Sequence, residues 1–307
     1  MELSKEKQID ETMPMVSIGM PIFNSEATLR LAIDSILKQS YTEFELIISD
    51  NCSTDSTSEI CREYEKIDSR IFYIRQAENI GATKNFEFVF NQGRGKYFLW
   101  AAGDDVRSFD FLEVNIKFLE AHSGYIASTS PNCFASEEAQ GHGFVSFDIV
   151  GSVEERFIKF FDNCWQSHGI FYSVFRREVL INCEILGSSF MAADWAINLC
   201  LIKHGNVHRS VNGLTTFGVN GVSRGADAWG IFRNGFVEWV VPFKSLTAYV
   251  FKLSADLPFP IRYRIIKRLL KLNLSVSYRP LYAIIYPVLY PIYRRYVRQN
   301  LRSSSYK

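Results

Sequence analysis

A chain of 307 residues with 47% apolar side chains can bury one large core or two small ones, which argues against a disordered or fibrous protein. Its formal net charge of +1 hides an uneven distribution: no Asp or Glu follows Asp256, while eleven of the 34 basic residues do, so residues 1–256 carry a formal −10. That acidic body, with no reader motif, argues against a nucleic-acid partner; six cysteines without a C-x-x-C pair, behind a charged opening stretch lacking an apolar h-region, point to reduced structural thiols in the cytoplasm.

Residues 15–20 form a short apolar run of strand length, broken by "PIFNSE", where Asn24 or Ser25 is placed to cap a helix with Glu26 in its first turn. Leu29, Ala32, Ile33, Ile36 and Leu37 follow at helical spacing, completing a βα unit. The pattern returns with a strand at 44–49, the loop "DNCSTDST" and a helix through about Lys66. It returns again with a strand at 71–75 and a helix through about Asn91. A fourth strand, "KYFLWAA", precedes the helical stretch "FDFLEVNIKFLEAH". Nearly continuous apolar strands alternating with helices predict an α/β fold with a mostly parallel sheet covered on both faces.

In such sheets ligands bind beyond the carboxyl ends of the strands. That rule gathers four polar loops, at 21–26, 50–55, 79–85 and 103–106. The last carries Asp104 and Asp105 side by side, and two adjacent carboxylates at the end of a buried strand call for a positive partner. No G-x-G-x-x-G opens a helix, and neither a P-loop nor a G-x-S-x-G elbow occurs, which argues against dinucleotide, P-loop and serine-hydrolase chemistry. The carboxylate pair suits a hard cation with oxygen ligands, Mg²⁺ or Mn²⁺, which takes phosphate oxygens as further ligands.

The stretches "SIGMPIFNSEATLRLAIDSILKQSYTEFELIISDNCSTDST" and "NIGATKNFEFVFNQGRGKYFLWAAGDD" resemble the opening half of the family 2 glycosyltransferases, inverting enzymes of the GT-A fold. A second patch of resemblance lies near residues 165–225. The resemblance implies a Rossmann-like α/β catalytic domain over 14–228, after an N-terminal extension (1–13) and before a C-terminal helical, basic region (229–307). It further implies a nucleotide-sugar donor, a uridine one, and a saccharide or lipid-linked saccharide acceptor in surface polysaccharide assembly. Carried over residue by residue, Pro21, Phe23 and Asn24 lie against the nucleotide, with Glu26 just behind. Asp50 accepts from the base, and Asn79, Gly81, Lys84 and Asn85 border base and ribose. Asp105 is the implied metal ligand, with Asp104 near ribose or metal. Ala102 stands where the family has the first Asp of its D-x-D-D, and Asn51 where it has the second Asp after the second strand.

An inverting transfer needs a general base for the acceptor hydroxyl. Asp194, opening a packed helix that resembles the family's E-D position with Ala193 in place of the Glu, is the candidate; a plain helix N-terminal charge is its alternative role. His168 is a rival base. Trp165, His168 and Trp195 are candidates for the acceptor side. "FGVNGVSRG" resembles the family's late loop, with Asn220 where His is frequent and Ser223 and Arg224 within reach of phosphate.

From Phe259, Ile261, Ile265, Ile266, Leu269, Leu270 and Leu272 mix with Arg and Lys at helical spacing, followed by a proline-interrupted run too short to span a bilayer. Such a segment suits an anionic membrane surface, placing the protein peripherally at the inner face of the cell membrane; a homo-oligomer interface or packing on the catalytic domain are the alternatives. Two other classes remain open for the whole chain: a sugar-phosphate nucleotidyltransferase and a catalytically degenerate binding protein.

Overall fold

The structure, a computed structural model, describes residues 13–138, 147–218 and 236–277. The first unit opens with β1 (Val16–Ile22), α1 (Leu29–Leu37), β2 (Phe44–Asp50), α2 (Thr57–Ile67), β3 (Ile71–Arg75), α3 (Ala82–Gln92) and β4 (Tyr97–Trp100). These four strands pair in parallel in the order β3-β2-β1-β4. The register sets Ile22 beside Asp50 and Asp50 beside Arg75, so the loops after β1, β2 and β3 leave one edge of the sheet at one level.

Side-chain alternation divides the core. Val16, Ile18, Met20, Leu46, Ile48, Tyr97 and Leu99 pack with Leu29, Ile33, Ile36, Ile60 and Cys61 of α1 and α2. On the other face Phe98 and Trp100 meet Phe90 of α3, with ring centroids 5.0 and 5.9 Å apart. Gly19 allows that helix its approach, because a Cβ there would lie 2.6 Å from the Phe98 ring and 2.7 Å from Val89.

The remainder of the unit comprises β5 (Val106–Arg107), α4 (Phe111–Ala121), β6 (Tyr125–Thr129), β7 (Asn132–Phe134), α5 (Ala135–Glu138), α6 (Val153–Asn163), α7 (His168–Phe171), β8 (Val174–Arg176), α8 (Ala193–His204), β9 (Asn206–Arg209) and β10 (Thr215–Phe217). β8, antiparallel to both β4 and β6, extends the main sheet, and β9 closes it parallel to β6. A second sheet, β5-β10-β7, joins segments more than 100 residues apart in sequence through Thr215 opposite Arg107 and Thr216 opposite Val106. The mostly parallel α/β sheet flanked by helices is thus present, with one antiparallel strand, β8, in its interior between β4 and β6.

The expected cap of α1 is absent. The helix starts only at Leu29, and the Ser25 carbonyl, not a side chain, accepts from the Thr28 and Leu29 N–H groups. Asn24 sits in the left-handed region at φ 48° and turns its Oδ1 to the Thr54 N–H, 2.8 Å away. Pairing across to the neighbouring loop has taken the side chain that local logic assigned to the helix end.

The second unit holds α9 (Phe236–Val240), α10 (Lys244–Leu253) and a helix over 259–277. Asn273 accepts from the Phe243 N–H at 3.0 Å and donates to Thr247 Oγ1 at 3.2 Å. Arg262 lies over the Phe251 ring, and Ser277 donates to the Val240 carbonyl. These ties run in opposite chain directions, so α10 and the last helix form an antiparallel pair. Ile265, Leu269, Leu272 and Val276 are buried along the last helix. Of the basic region's apolar positions, this stripe is therefore covered by protein. The N-terminal extension except Met13, the late loop from residue 219 on, with Asn220, Ser223 and Arg224, and the chain beyond residue 277 lie outside the described residues.

Candidate active site

The loops after β1 and β2 are fastened to each other by groups that the sequence offers to a ligand. Asn24 N–H donates to Ser53 Oγ at 2.9 Å and Ser25 N–H to Thr57 Oγ1 at 2.8 Å. Glu26 N–H donates to Asp55 Oδ2, while Glu26 Oε2 accepts from the Ser56 N–H, a reciprocal clamp. Phe23 is left 46% exposed at the tip, beside the partly buried Pro21, as an apolar surface a planar base could cover.

Asp50 is fully buried. Its Oδ1 accepts from the Ser53 N–H at 2.8 Å, and its Oδ2 from the Tyr73 hydroxyl at 3.0 Å and from Arg75 Nη1 at 3.4 Å. Burial, with the Asp50 charge next, pushes the Tyr73 phenol well above its ordinary range, so it stays a donor. Asp50 thus braces the loop 50–55 and holds Arg75, whose Nη2 also donates to the Ser53 carbonyl. Sequence reasoning missed Arg75, which enters through strand register alone. Asn85 is equally enclosed, bonded through both amide atoms to Ser49, whereas Asn79 and Lys84 are exposed at the same edge.

Asn51 has a physical reason to be an amide. Its Nδ2 donates to Asn79 Oδ1 at 2.8 Å and its Oδ1 accepts from the Ile80 N–H at 2.9 Å, tying the β2 and β3 loops together. Asn51→Asp would set a carboxylate against the Asn79 carbonyl oxygen. Flipping Asn79 to relieve this would break the bond that it accepts from the Gly81 N–H. We expect Asn51→Asp to cost about 1–2 kcal/mol, read as a lowered urea midpoint with unchanged slope.

Asp105 is 3% exposed. One carboxylate oxygen accepts from the Gly218 N–H at 3.2 Å, and the other is buried without a hydrogen-bond partner among the described residues. Burial above all, and then the Asp104 charge, push its carboxyl up to about 6, against the opposing pull of Arg107. Arg107 is buried too, donating to the Trp100 carbonyl at 3.0 Å while its Nε and Nη1 have no hydrogen-bond partner among the described residues. Gly218 must be glycine here, because a Cβ would overlap the Asp104 carboxylate. The late loop thus begins with its backbone wedged against both aspartates.

Asp194 lies in the first turn of α8, whose positions Trp195 through Ile202 are all buried. Burial pushes its carboxyl up to about 6, although the Trp195 and Asp194 N–H groups pull it down. Tyr172 links the two halves of the site. Its phenol is driven well above the ordinary range, first by burial and then by the charges of Asp105, Asp104 and Asp194. Its ring packs 5.4 Å from Phe217, which itself meets Phe134 and His168. The predicted base and the predicted metal carboxylates therefore share one electrostatic neighbourhood around an un-ionised phenol. Trp165 is 49% exposed and stands edge-on to the buried Trp195 at 5.0 Å. Two of the missed residues left faint signals: Arg107 lies two positions after Asp105 in an extended run, and Tyr172 four after His168. Gly218 left none.

The residues fit a divalent cation on one observation, the orphaned, buried Asp105 Oδ2 beside Asp104. Among the described residues no group of three His, Cys, Asp or Glu side chains could enclose a metal alone.

The sequence pattern described as Glycosyl transferase family 2 matches residues 17–180, more than half of the chain. The chain belongs to this family. Among curated relatives it is 33% identical over 124 residues to TuaG of Bacillus subtilis, named for teichuronic acid biosynthesis. That alignment covers 40% of this chain and 49% of TuaG. It is 28% identical over 225 residues to the GalNAc(5)-diNAcBac-PP-undecaprenol beta-1,3-glucosyltransferase of Campylobacter jejuni, over 70% of this chain and 69% of that one. The chain spans about half the length, or less, of the first three curated relatives it matches. Among solved structures it superposes on S. aureus TarS in complex with UDP-GlcNAc with a TM-score of 0.64 at 18% identity, over 88% of this chain and 75% of that one. On the Pyrobaculum calidifontis mannosyltransferase PcManGT in complex with GDP-Man and Mn²⁺ the TM-score is 0.51 at 16% identity, over 93% and 84%. The fold is that of the GT-A glycosyltransferases.

Proposed function

We propose that this family 2 glycosyltransferase is an inverting enzyme that moves a sugar from a uridine diphosphate donor to a hydroxyl of a saccharide during surface polysaccharide assembly. The observation that carries this reading is the buried Asp105 next to Asp104 after β4, one of its oxygens held by the Gly218 N–H and the other without a hydrogen-bond partner among the described residues; these two serve as the donor-side pair and Asp194, in the first turn of α8, as the base. Phe23, Pro21 and Asn79 offer the base and ribose an apolar and amide-lined edge, and Lys84 stands exposed for phosphate. Asp105, with Asp104, would hold Mn²⁺ or Mg²⁺, which supplies charge stabilisation to the departing diphosphate. Asp194 Oδ takes the proton of the acceptor hydroxyl as that oxygen bonds to the anomeric carbon opposite the leaving group. Trp165, half exposed and backed edge-on by the buried Trp195, offers an aromatic surface on which a sugar ring can lie.

The C. jejuni relative, whose name specifies an undecaprenol-linked substrate, supports a lipid-linked acceptor here too; we place the protein that uses it at the inner face of the cell membrane. No helix among the described residues is long and apolar enough to cross a membrane. The test is to incubate the protein with a panel of nucleotide sugars and lipid-linked saccharides and to follow nucleoside diphosphate release. Release of UDP with a glycosylated product is expected. Release of pyrophosphate from a sugar phosphate and nucleoside triphosphate would instead identify a nucleotidyltransferase.

A further inference from the structure

Of the two apolar stripes on the helix over 259–277, the one formed by Ile265, Leu269, Leu272 and Val276 is buried. The other consists of Phe259, Tyr263, Leu270 and Leu274, which are 78%, 56%, 53% and 70% exposed. At 100° per residue these four fall within one narrow sector of the helix, because they are separated by four, seven and four positions. Phe259 and Tyr263 stack at 6.4 Å, so their rings form one continuous apolar plate. Lys267 and Lys271, both exposed, border the stripe along one flank. A folded helix thus presents large apolar side chains rimmed by ammonium groups.

We infer that this face is a docking surface for an anionic phospholipid bilayer, on which the helix lies in the headgroup plane with Phe259, Tyr263, Leu270 and Leu274 directed at the acyl boundary. Charge decides the occupant. No acidic residue follows Asp256, so the chain's own end supplies no side-chain carboxylate to answer the rim. An anionic headgroup layer answers both the ammonium rim and the apolar plate. The inference goes beyond the reading of a lipid-linked acceptor, and lipid binding is measured without turnover, so the failure of one is distinguishable from the failure of the other.

The experiment is flotation of the full-length protein with vesicles of phosphatidylglycerol and phosphatidylcholine, or of phosphatidylcholine alone, at low and high salt. Two double variants accompany it, Leu270→Gln with Leu274→Gln and Lys267→Glu with Lys271→Glu. Their folding is checked by thermal melting, which exposed substitutions leave near the parent value. Binding to anionic vesicles that salt weakens, that is absent with phosphatidylcholine alone, and that each double variant lowers by roughly tenfold or more is the expected result. Undiminished vesicle binding by both folded variants would overturn the inference. So would a parent protein that ignores vesicles but forms a dimer that the Leu270→Gln, Leu274→Gln variant loses.

Discussion

Asp194→Asn is expected to lower kcat by roughly 10²–10⁴-fold while leaving donor affinity within about twofold of the parent value. The carboxylate must be ionised to take the acceptor proton, and burial holds its carboxyl up to about 6. The parent rate should therefore fall tenfold per pH unit below about 6 and level off above it. The same substitution carries an opposite prediction for stability. A carboxyl with a folded value above its ordinary 3.8 binds its proton more tightly in the folded chain, so stability declines as pH rises from about 4 to 6 and remains reduced above that. Removing the charge relieves that penalty, offset in part by the lost attraction to the N-terminus of α8. At pH 7.5 Asp194→Asn should thus melt about 4–8 °C higher, a gain of about 2 kcal/mol that disappears below about pH 4. A residue that merely supported the helix would give the reverse: a lower melting temperature with kcat preserved.

Asp105→Asn is expected to act on the donor side. Its buried, unpartnered Oδ2 is the atom best suited to a hard cation, so the variant should lose Mn²⁺ binding, followed as the free-ion signal in electron paramagnetic resonance. With it kcat/KM should fall by roughly 10³-fold or more. No stability gain should accompany this loss, in contrast to Asp194→Asn, because Asp105 faces the buried Arg107 and its removal leaves that guanidinium without its counter-charge. Normal Mn²⁺ binding by the folded variant would transfer the ligand role to Asp104 alone.

The first three helices were legible because each is long enough to display a period, and the first four strands because they read as nearly continuous apolar runs between them, an alternation that implies their parallel order. The carboxylates at the strand ends were legible for the same reason, since topology alone brings the loops after β1 to β4 to one edge. The β5-β10-β7 sheet was not, because two- and three-residue strands carry no periodicity and pair only when distant segments meet. Gly218 belongs to that class: its N–H reaches Asp105 across 113 residues of sequence. Local rules also misassigned side chains whose partners lie on another loop, as with Asn24, which seals the β2 loop instead of capping α1. In the basic helix the 3.6-residue period revealed apolar content without telling which stripe is inside; Ile265 and Leu269 are covered, and Leu270, one residue on, is not.

The central claim is that the edge formed by Phe23, Asn79, Asp104 and Asp105 holds a uridine diphosphate through a divalent cation. Calorimetric titration of UDP into the protein, with Mn²⁺ and then with a chelator, tests it most directly. Saturable binding that requires Mn²⁺ is the predicted result. Failure of UDP and of every other nucleoside diphosphate to bind, with or without metal, would contradict the account.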